Sequence, residues 1–300
     1  MGREPTVAVN IIGGLGNQLF QYATGRALAD RLNANLILDC SDKRDRKVEL
    51  DRYHIRASIV DSPSVVRKTY LRLPGKVGGK LSEAAQRLLP EFIKVDNQIF
   101  HSFQEQHWFQ YDERIKRLGG AVYLNGFWQS FRYFDGLLES ISEDLRLVAP
   151  LNPTNVKWQR QMEEAESVCV HVRRGDYVWR AQTFGLCAVS YYKFAMQYLR
   201  ARHADARFFL FSDDLAWCRQ HFAADELIFV DSNSPDSAVD DLELMRSCRH
   251  HIIANSSLSW WGAWLATSPA QIVVAPVPWF ISEPSDGDLI FRHWVRLPQS

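Results

Sequence analysis

Val168-Cys169-Val170-His171-Val172-Arg173-Arg174-Gly175-Asp176-Tyr177 is the stretch from which the fold is read. Residues 168–172 form a short apolar run of buried-strand type; two arginines stand at its end and a glycine turn comes next. Downstream the pattern repeats. The spacing predicts helices over 191–202, 215–222, 238–248 and 258–266, alternating with strands over 207–211, 227–230, 251–254 and 272–275. Strand followed by helix followed by strand requires crossover connections, which build a parallel, doubly wound sheet. In such a sheet ligands bind beyond the carboxyl ends of the strands, so the residues just after each strand are the ones to question.

Upstream, Pro150, Asn152 and Pro153 read as a connection, which sets the expected lobes at 1–152 and 153–300. The first lobe opens with a strand over 7–12, the turn Gly13-Gly14-Leu15-Gly16-Asn17-Gln18, and a helix over 19–32; residues 35–39 form the next strand. The charged run 41–52 reads as a solvated loop. Signals are weak over 61–91, where a loop at 74–79 precedes a helix, and they sharpen again over 123–130.

Composition bounds the function. A chain of 300 residues, 46% apolar and 23% charged, suits two α/β lobes. Lys plus Arg number 35 and so do Asp plus Glu, so no global field draws the chain to nucleic acid or an anionic surface. Its start lacks a signal-peptide pattern and no stretch is long and apolar enough to span a bilayer. The five cysteines lie far apart without a Cys-x-x-Cys pair, which argues against a disulfide framework or structural zinc and fits a reducing cytoplasm.

Three turns carry chemistry, each beside a plainer alternative. Gly14 and Gly16 allow close backbone approach and the adjoining helix offers N–H groups to an anion, yet no Gly-Lys-Ser/Thr is present and Leu19 replaces the third glycine of a dinucleotide fingerprint. The plain alternative is a turn that packs helix on sheet, with Asn17 and Gln18 as helix-start residues. After the strand at 168–172, His171 and Arg173 share a face and Arg174 lies just past the end. Guanidinium forks match diphosphate oxygens, and Asp176 is placed to take a proton from an attacking hydroxyl or, on the plain alternative, to form an Arg–Asp salt bridge. In the third turn, Asn255-Ser256-Ser257-Leu258-Ser259, the hydroxyls and free amides either cap a helix or grip a phosphate. Trp260, Trp261 and Trp264 read as packing. Asp240, Asp241 and Glu243 form a solvated helix start or supply a carboxylate for guanine, and Asp286-Gly287-Asp288 reads as surface loop.

Together these segments resemble the α-1,2-fucosyltransferases of glycosyltransferase family eleven. The likeness rests on His171 to Asp176 as His-x-Arg-Arg-Gly-Asp, on residues 13–23, on Gly126-Phe127-Trp128-Gln129-Ser130, on 241–248 and on 255–265; Leu258 departs from an aromatic found in some relatives. The resemblance implies a GT-B-like pair of Rossmann-type lobes with a donor cleft between them: an acceptor-side lobe over 1–152 and a GDP-sugar-binding lobe over 153–300. It implies an inverting, metal-independent enzyme without a cofactor, which uses GDP-β-L-fucose as donor and the 2-hydroxyl of galactose as acceptor. By the same resemblance Arg173 and Arg174 contact the pyrophosphate, and His171 and Asp241 the guanosine. Ser256, Ser257 and Ser259 add phosphate or ribose contacts, Gly14, Asn17 and Gln18 face the reacting sugar, and Asp176 is the base. Acceptor choice is expected around 101–111 and Trp128. A lipid-linked glycan acceptor would bring the chain to a membrane surface, and no nucleic acid is expected. The competing classes are a non-catalytic glycan- or nucleotide-binding module and a nucleotide-sugar dehydrogenase or epimerase, the latter disfavoured by the missing glycine.

Overall fold

A computed structural model describes residues 5–41, 47–61, 67–70, 91–95, 98–223, 225–234, 237–283 and 285–300. The loop expected at 74–79 and the helix after it lie outside the described residues. The chain divides into two units, Met1–Val48 with Ile55–Leu137 and Glu49–His54 with Leu138–Ser300.

In the first unit the strands β1 (Thr6–Asn10), β2 (Asn35–Asp39), β3 (Ser58–Val60), β4 (Arg67–Tyr70), β5 (Glu91–Val95), β6 (Gln98–Gln104) and β7 (Val122–Asn125) form one sheet in the order β3-β2-β1-β7-β6-β5-β4. From β3 to β6 every pairing is parallel, whereas β5 and β4 add an antiparallel edge. The helix Leu15–Leu32 starts earlier than the sequence suggests. Gly13 takes φ +78°, and the Gly14 carbonyl then accepts the N–H groups of Asn17 (2.9 Å) and Gln18 (3.1 Å). Further along, a Cβ on Gly25 would lie 2.4 Å from Val9 Cγ2. Gly25 thus provides the close helix-on-strand packing that the absent third glycine supplies in dinucleotide folds.

The second unit holds β8 (Ser167–Val172), β9 (Arg207–Ser212), β10 (Ile228–Phe229), β11 (His250–Ile252), β12 (Val273–Val277) and β13 (Val295–Pro298), all parallel, in the order β10-β9-β8-β11-β12-β13. Alternate residues of β8 feed two cores. Val168, Val170 and Val172 pack with Tyr191, Leu199 and Leu210, while Cys169 packs with Phe209, Leu244 and Met245. The chain steps outward from β8 to β10 and returns to the other side of β8 for β11. Strand order therefore reverses between β8 and β11, and the crevice at their carboxyl ends is the switch point of the sheet.

The boundary falls at 137/138 and not at 152/153. Residues 150–153 look like a linker because Asn152 and Pro153 open a helix: Asn152 is the N-cap of Pro153–Glu164 and its side chain accepts the Asn155 N–H at 2.9 Å. Glu49–His54 joins the second unit through a Tyr53–Leu147 bridge and the bond from His54 N–H to the Arg146 carbonyl (3.0 Å).

Candidate active site

Three consecutive strand ends of the second sheet meet around the arginine pair. Arg173 and Arg174 come directly after β8; Asp213 and Asp214 come after its neighbour β9; Asn255 and Ser256 come after β11 and start the helix Ser257–Leu265. Asp213 ties the first two ends together. Its Oδ1 accepts the Arg174 backbone N–H (2.9 Å) and its Oδ2 meets Arg173 Nη1 (2.9 Å). The second nitrogen of the Arg173 fork pairs with Asp176. Burial works against its charge, but Asp213 and Asp176 outweigh it and raise the pKa of Arg173 further. The plain salt-bridge alternative is therefore present at Arg173.

Arg174 is held differently. Its Nε donates to Asp214 Oδ2 (3.2 Å) and its guanidinium lies 3.8 Å over the Trp217 ring, a cation–π contact that fixes the plane. Both Nη groups remain unspent among the described residues, and the side chain is 18% exposed. Across the crevice Tyr177 donates its hydroxyl to the Asn255 carbonyl (3.0 Å), while the Asn255 amide donates to the Phe184 carbonyl (2.8 Å). These bonds lock the turn after β8 against the helix start after β11. Ser256 is the N-cap of that helix and makes no side-chain cap bond, and the positive end of the helix faces the crevice side of the turn.

His171 is 4% exposed, and its Nδ1 has no partner among the described residues. Burial, reinforced by the Arg173 charge, lowers its pKa to about 3, so at neutral pH it is an uncharged imidazole. Asp241 lies at the start of the helix Ala238–Arg246, which comes after β10. Its carboxylate accepts from Asn233 (2.8 Å), which is itself held by Asn155 (2.8 Å); burial raises the Asp241 pKa to about 6 against that hydrogen bond. A half-buried carboxylate and a neutral imidazole with open valences suit a heterocycle better than a phosphate.

Other expected residues are committed elsewhere. Ser259 donates its hydroxyl to the carbonyls of Ala254 (3.2 Å) and Ser256 (3.0 Å), closing its own turn. Gln18 is 1% exposed and its amide donates to the Gly13 and Lys47 carbonyls at 2.9 and 2.8 Å, so it fixes the first-unit turn. Asn17 accepts from Gln129 (2.8 Å) and stays half-buried, and a Cβ on Gly14 would meet open space. Ser257 begins the helix at a half-buried position. Asp176 is 44% exposed and bound to Arg173, a geometry that orients the guanidinium. Asp240 pairs with Arg52 (3.4 Å) and Glu243 with Arg246 (3.5 Å), so this helix start is not simply solvated. Asp286 is buried against Arg296 and is not surface. Trp260 and Trp261 are fully buried packing.

Asp213, Asp214 and Trp217 do not stand out in the sequence, although the rule that exposes Arg173, to inspect the residues just past each strand, applies equally to β9. Among the described residues Glu166, His203 and His250 form a cluster of metal-ligand types. It lies at the amino end of β8 and β11, away from the arginines. There His250 Nδ1 accepts from Ile272 N–H (3.0 Å), so Nε2 carries the proton and donates to Glu166 (2.7 Å). The imidazole has no lone pair left for a metal.

The geometry has counterparts in known proteins. A family model for glycosyl transferase family 11 matches residues 90–297. An alpha-1,2-colitosyltransferase of Escherichia coli is 33% identical, with 97% of this chain and 98% of that protein covered. A galactoside 2-alpha-L-fucosyltransferase SEC1 of Bos taurus is 27% identical over 88% of this chain and 65% of that protein. The crystal structure of POFUT1 in complex with GDP superposes with a TM-score of 0.51 at 12% identity, covering 91% of this chain and 98% of that one, which supports a GT-B fold of two α/β units. With the family model spanning most of the chain and a full-length relative a third identical, the chain belongs to glycosyltransferase family 11.

Proposed function

We propose that this glycosyltransferase moves L-fucose from GDP-β-L-fucose to the 2-hydroxyl of a terminal galactose, with inversion at the anomeric carbon. The observation that carries the reading is Arg174, held by Asp214 and Trp217 with both Nη groups open among the described residues. In this reading the acceptor oxygen forms a bond to C1 as the bond from C1 to the diphosphate oxygen breaks, the electron pair leaves on the diphosphate, and the hydroxyl proton passes to the Asp176 carboxylate or, where Asp176 only holds Arg173, to solvent water. Arg174 and the Ser256–Ser257 amides stabilise that charge, a contribution that fixed donors make without reorganisation. Arg173, already held by Asp213 and Asp176, adds its remaining N–H groups. His171 and Asp241 receive the guanine base. The Asp176 carboxylate keeps Arg173 in place, and the alternative role of base is separated by the Asp176→Asn variant: lost turnover with donor affinity intact marks a base.

In this reading the N–H donors that the two arginines keep open serve where other transferases use a bound metal, and the reaction runs without divalent ions. Incubation with GDP-fucose and lactose under chelator, read by mass spectrometry, is the test. No product with GDP binding retained would point to the non-catalytic module. A second donor is favoured by a specific observation, since the colitosyl relative of Escherichia coli is more similar than the bovine fucosyl one. Colitose is fucose without its 3-hydroxyl, so competition between GDP-fucose and GDP-colitose separates the two. No described helix is long and apolar enough to cross a membrane, and a lipid-linked acceptor would be met at the membrane surface.

A further inference from the structure

The carboxyl edge of the first sheet carries a row of uncharged amides. Asn10 ends β1, Asn125 ends β7 and Gln104 ends β6, three neighbours in the sheet. Asn10 Nδ2 donates to Asn125 Oδ1 (3.0 Å), and Asn125 Nδ2 donates to Gln104 Oε1 (2.7 Å). The row is thus fixed internally, yet it still offers the exposed Nε2 of Gln104 at one end and the half-buried Asn10 at the other.

Beside the row the polypeptide is held rigidly. Glu105 accepts the N–H groups of Phe127 (2.7 Å) and Trp128 (3.0 Å), one on each carboxylate oxygen. A Cβ on Gly126 would lie 2.4 Å from the Glu105 side chain, so the turn sits directly on the carboxylate. Trp128 is held at φ +57° and Phe109 at φ +59°, conformations that non-glycine residues keep only under strong constraint. On this base Trp108 packs edge-on to Phe109 and Phe127, each 6.4 Å away, and remains 42% exposed. Two of its neighbours therefore set the ring plane, while solvent reaches part of it.

Planar amides without net charge, fixed in a line and continued through the Glu105–Phe127 bond to a turn that carries an exposed aromatic ring, match one class of ligand. A diphosphate would call for cations, and a peptide would call for an open strand edge or an apolar groove. A neutral hexopyranoside offers vicinal hydroxyls to the amides and an apolar C–H face to the ring. We propose that Gln104, Asn125, Asn10 and Trp108 form a saccharide subsite on the first unit that holds the acceptor galactoside. The proposal rests on the glycosyl-transfer reading for its choice of ligand. The pre-set hydrogen bonds of Asn125 make its neighbours rigid, so the site meets the sugar without first having to order itself.

The test uses the full-length protein with Gln104→Ala and Trp108→Ala, both exposed positions whose loss leaves the core intact. Binding of lactose is followed by saturation-transfer NMR in the presence of GDP, and acceptor KM by fucosyl transfer. Each variant should weaken lactose binding and raise acceptor KM roughly five- to tenfold, the value of one lost hydrogen bond or ring contact, with GDP affinity and Tm unchanged. Trp108→Phe should recover part of the loss. Unaltered lactose binding in both alanine variants overturns the subsite while leaving the donor reading standing. Failure of the wild-type protein to bind GDP overturns the donor reading, and the NMR comparison still decides the subsite: lactose binding that the variants lose supports it, whereas no binding ends it.

Discussion

Replacing Arg174 by alanine separates a donor-binding arginine from a structural one. Within the protein Arg174 makes one ion pair with Asp214 at 3.2 Å and one cation–π contact with Trp217 at 3.8 Å. A partly exposed ion pair is worth ~0–1 kcal/mol and the ring contact ~0.5–2 kcal/mol, so the variant should fold with Tm lowered by only a few degrees. A fork on two diphosphate oxygens is worth more, since each charge-assisted hydrogen bond contributes ~1.5–3 kcal/mol; GDP affinity should fall by about 10²- to 10⁴-fold. Arg174→Lys keeps the charge without the fork or the stacking and should recover only part of that. Isothermal titration with GDP and a thermal melt read the two effects separately. Asp214→Ala is the control: a purely structural Arg174 makes it behave like Arg174→Ala, whereas a donor-binding Arg174 leaves GDP affinity within a few-fold of wild type. GDP affinity unchanged in Arg174→Ala would refute the reasoning.

A methyl group on Gly175 would stand 2.4 Å from Asp213 Oδ2 and push the carboxylate off Arg173 and the Arg174 amide, so Gly175→Ala should weaken GDP roughly tenfold by titration calorimetry with little change in Tm. Burial raises the Asp241 pKa to about 6, and only the carboxylate accepts two guanine N–H groups; GDP binding should tighten about tenfold between pH 5 and pH 7, and Asp241→Asn should bind weakly with a flat profile. Burial likewise raises Glu105 from 4.5 to about 7, against the two backbone N–H groups it accepts. Because the folded pKa lies above the unfolded one, this group favours folding below pH 4.5 and that contribution is lost as pH rises through 7. Unfolding free energies from urea melts should therefore decline across that window by up to about 3 kcal/mol, and Glu105→Gln should remove that part of the slope.

The second sheet is legible in the sequence because its central strands are buried on both faces and read as unbroken apolar runs, β8 most plainly. The first sheet is harder. Its β4 and β5 form an antiparallel margin, and β6 carries exposed polar His101 and Gln104, each directly after a buried residue, Phe100 and Phe103. Local signals also mislead where one residue type serves two ends: Asn152-Pro153 punctuates a linker and equally opens a helix. At the site, residue type points to the arginines, but their partners cannot be read from it. Nothing in Ser259 or Gln18 discloses that a backbone carbonyl consumes each side chain, since that depends on helix phase and on the distant Lys47. Asp213 and Asp214 gain meaning only once β9 is known to lie beside β8.

The charges around the crevice also bear on how the donor enters. Two guanidiniums are shared among Asp176, Asp213 and Asp214, so the ligand-free arrangement is electrostatically more than balanced. A diphosphate arriving there cannot rely on excess positive charge; it must use N–H donors that the carboxylates leave over, and the helix start after β11. Such a site favours fixed direction over long-range attraction. Its GDP affinity should accordingly fall less steeply with added salt than that of a site with unpaired cations, because screening removes field and leaves short hydrogen bonds largely intact. Removing one carboxylate, as in Asp176→Asn, shifts the balance toward attraction while loosening Arg173. GDP affinity and turnover falling together in that variant would mean that orientation of Arg173, more than the balance of charge, serves the donor.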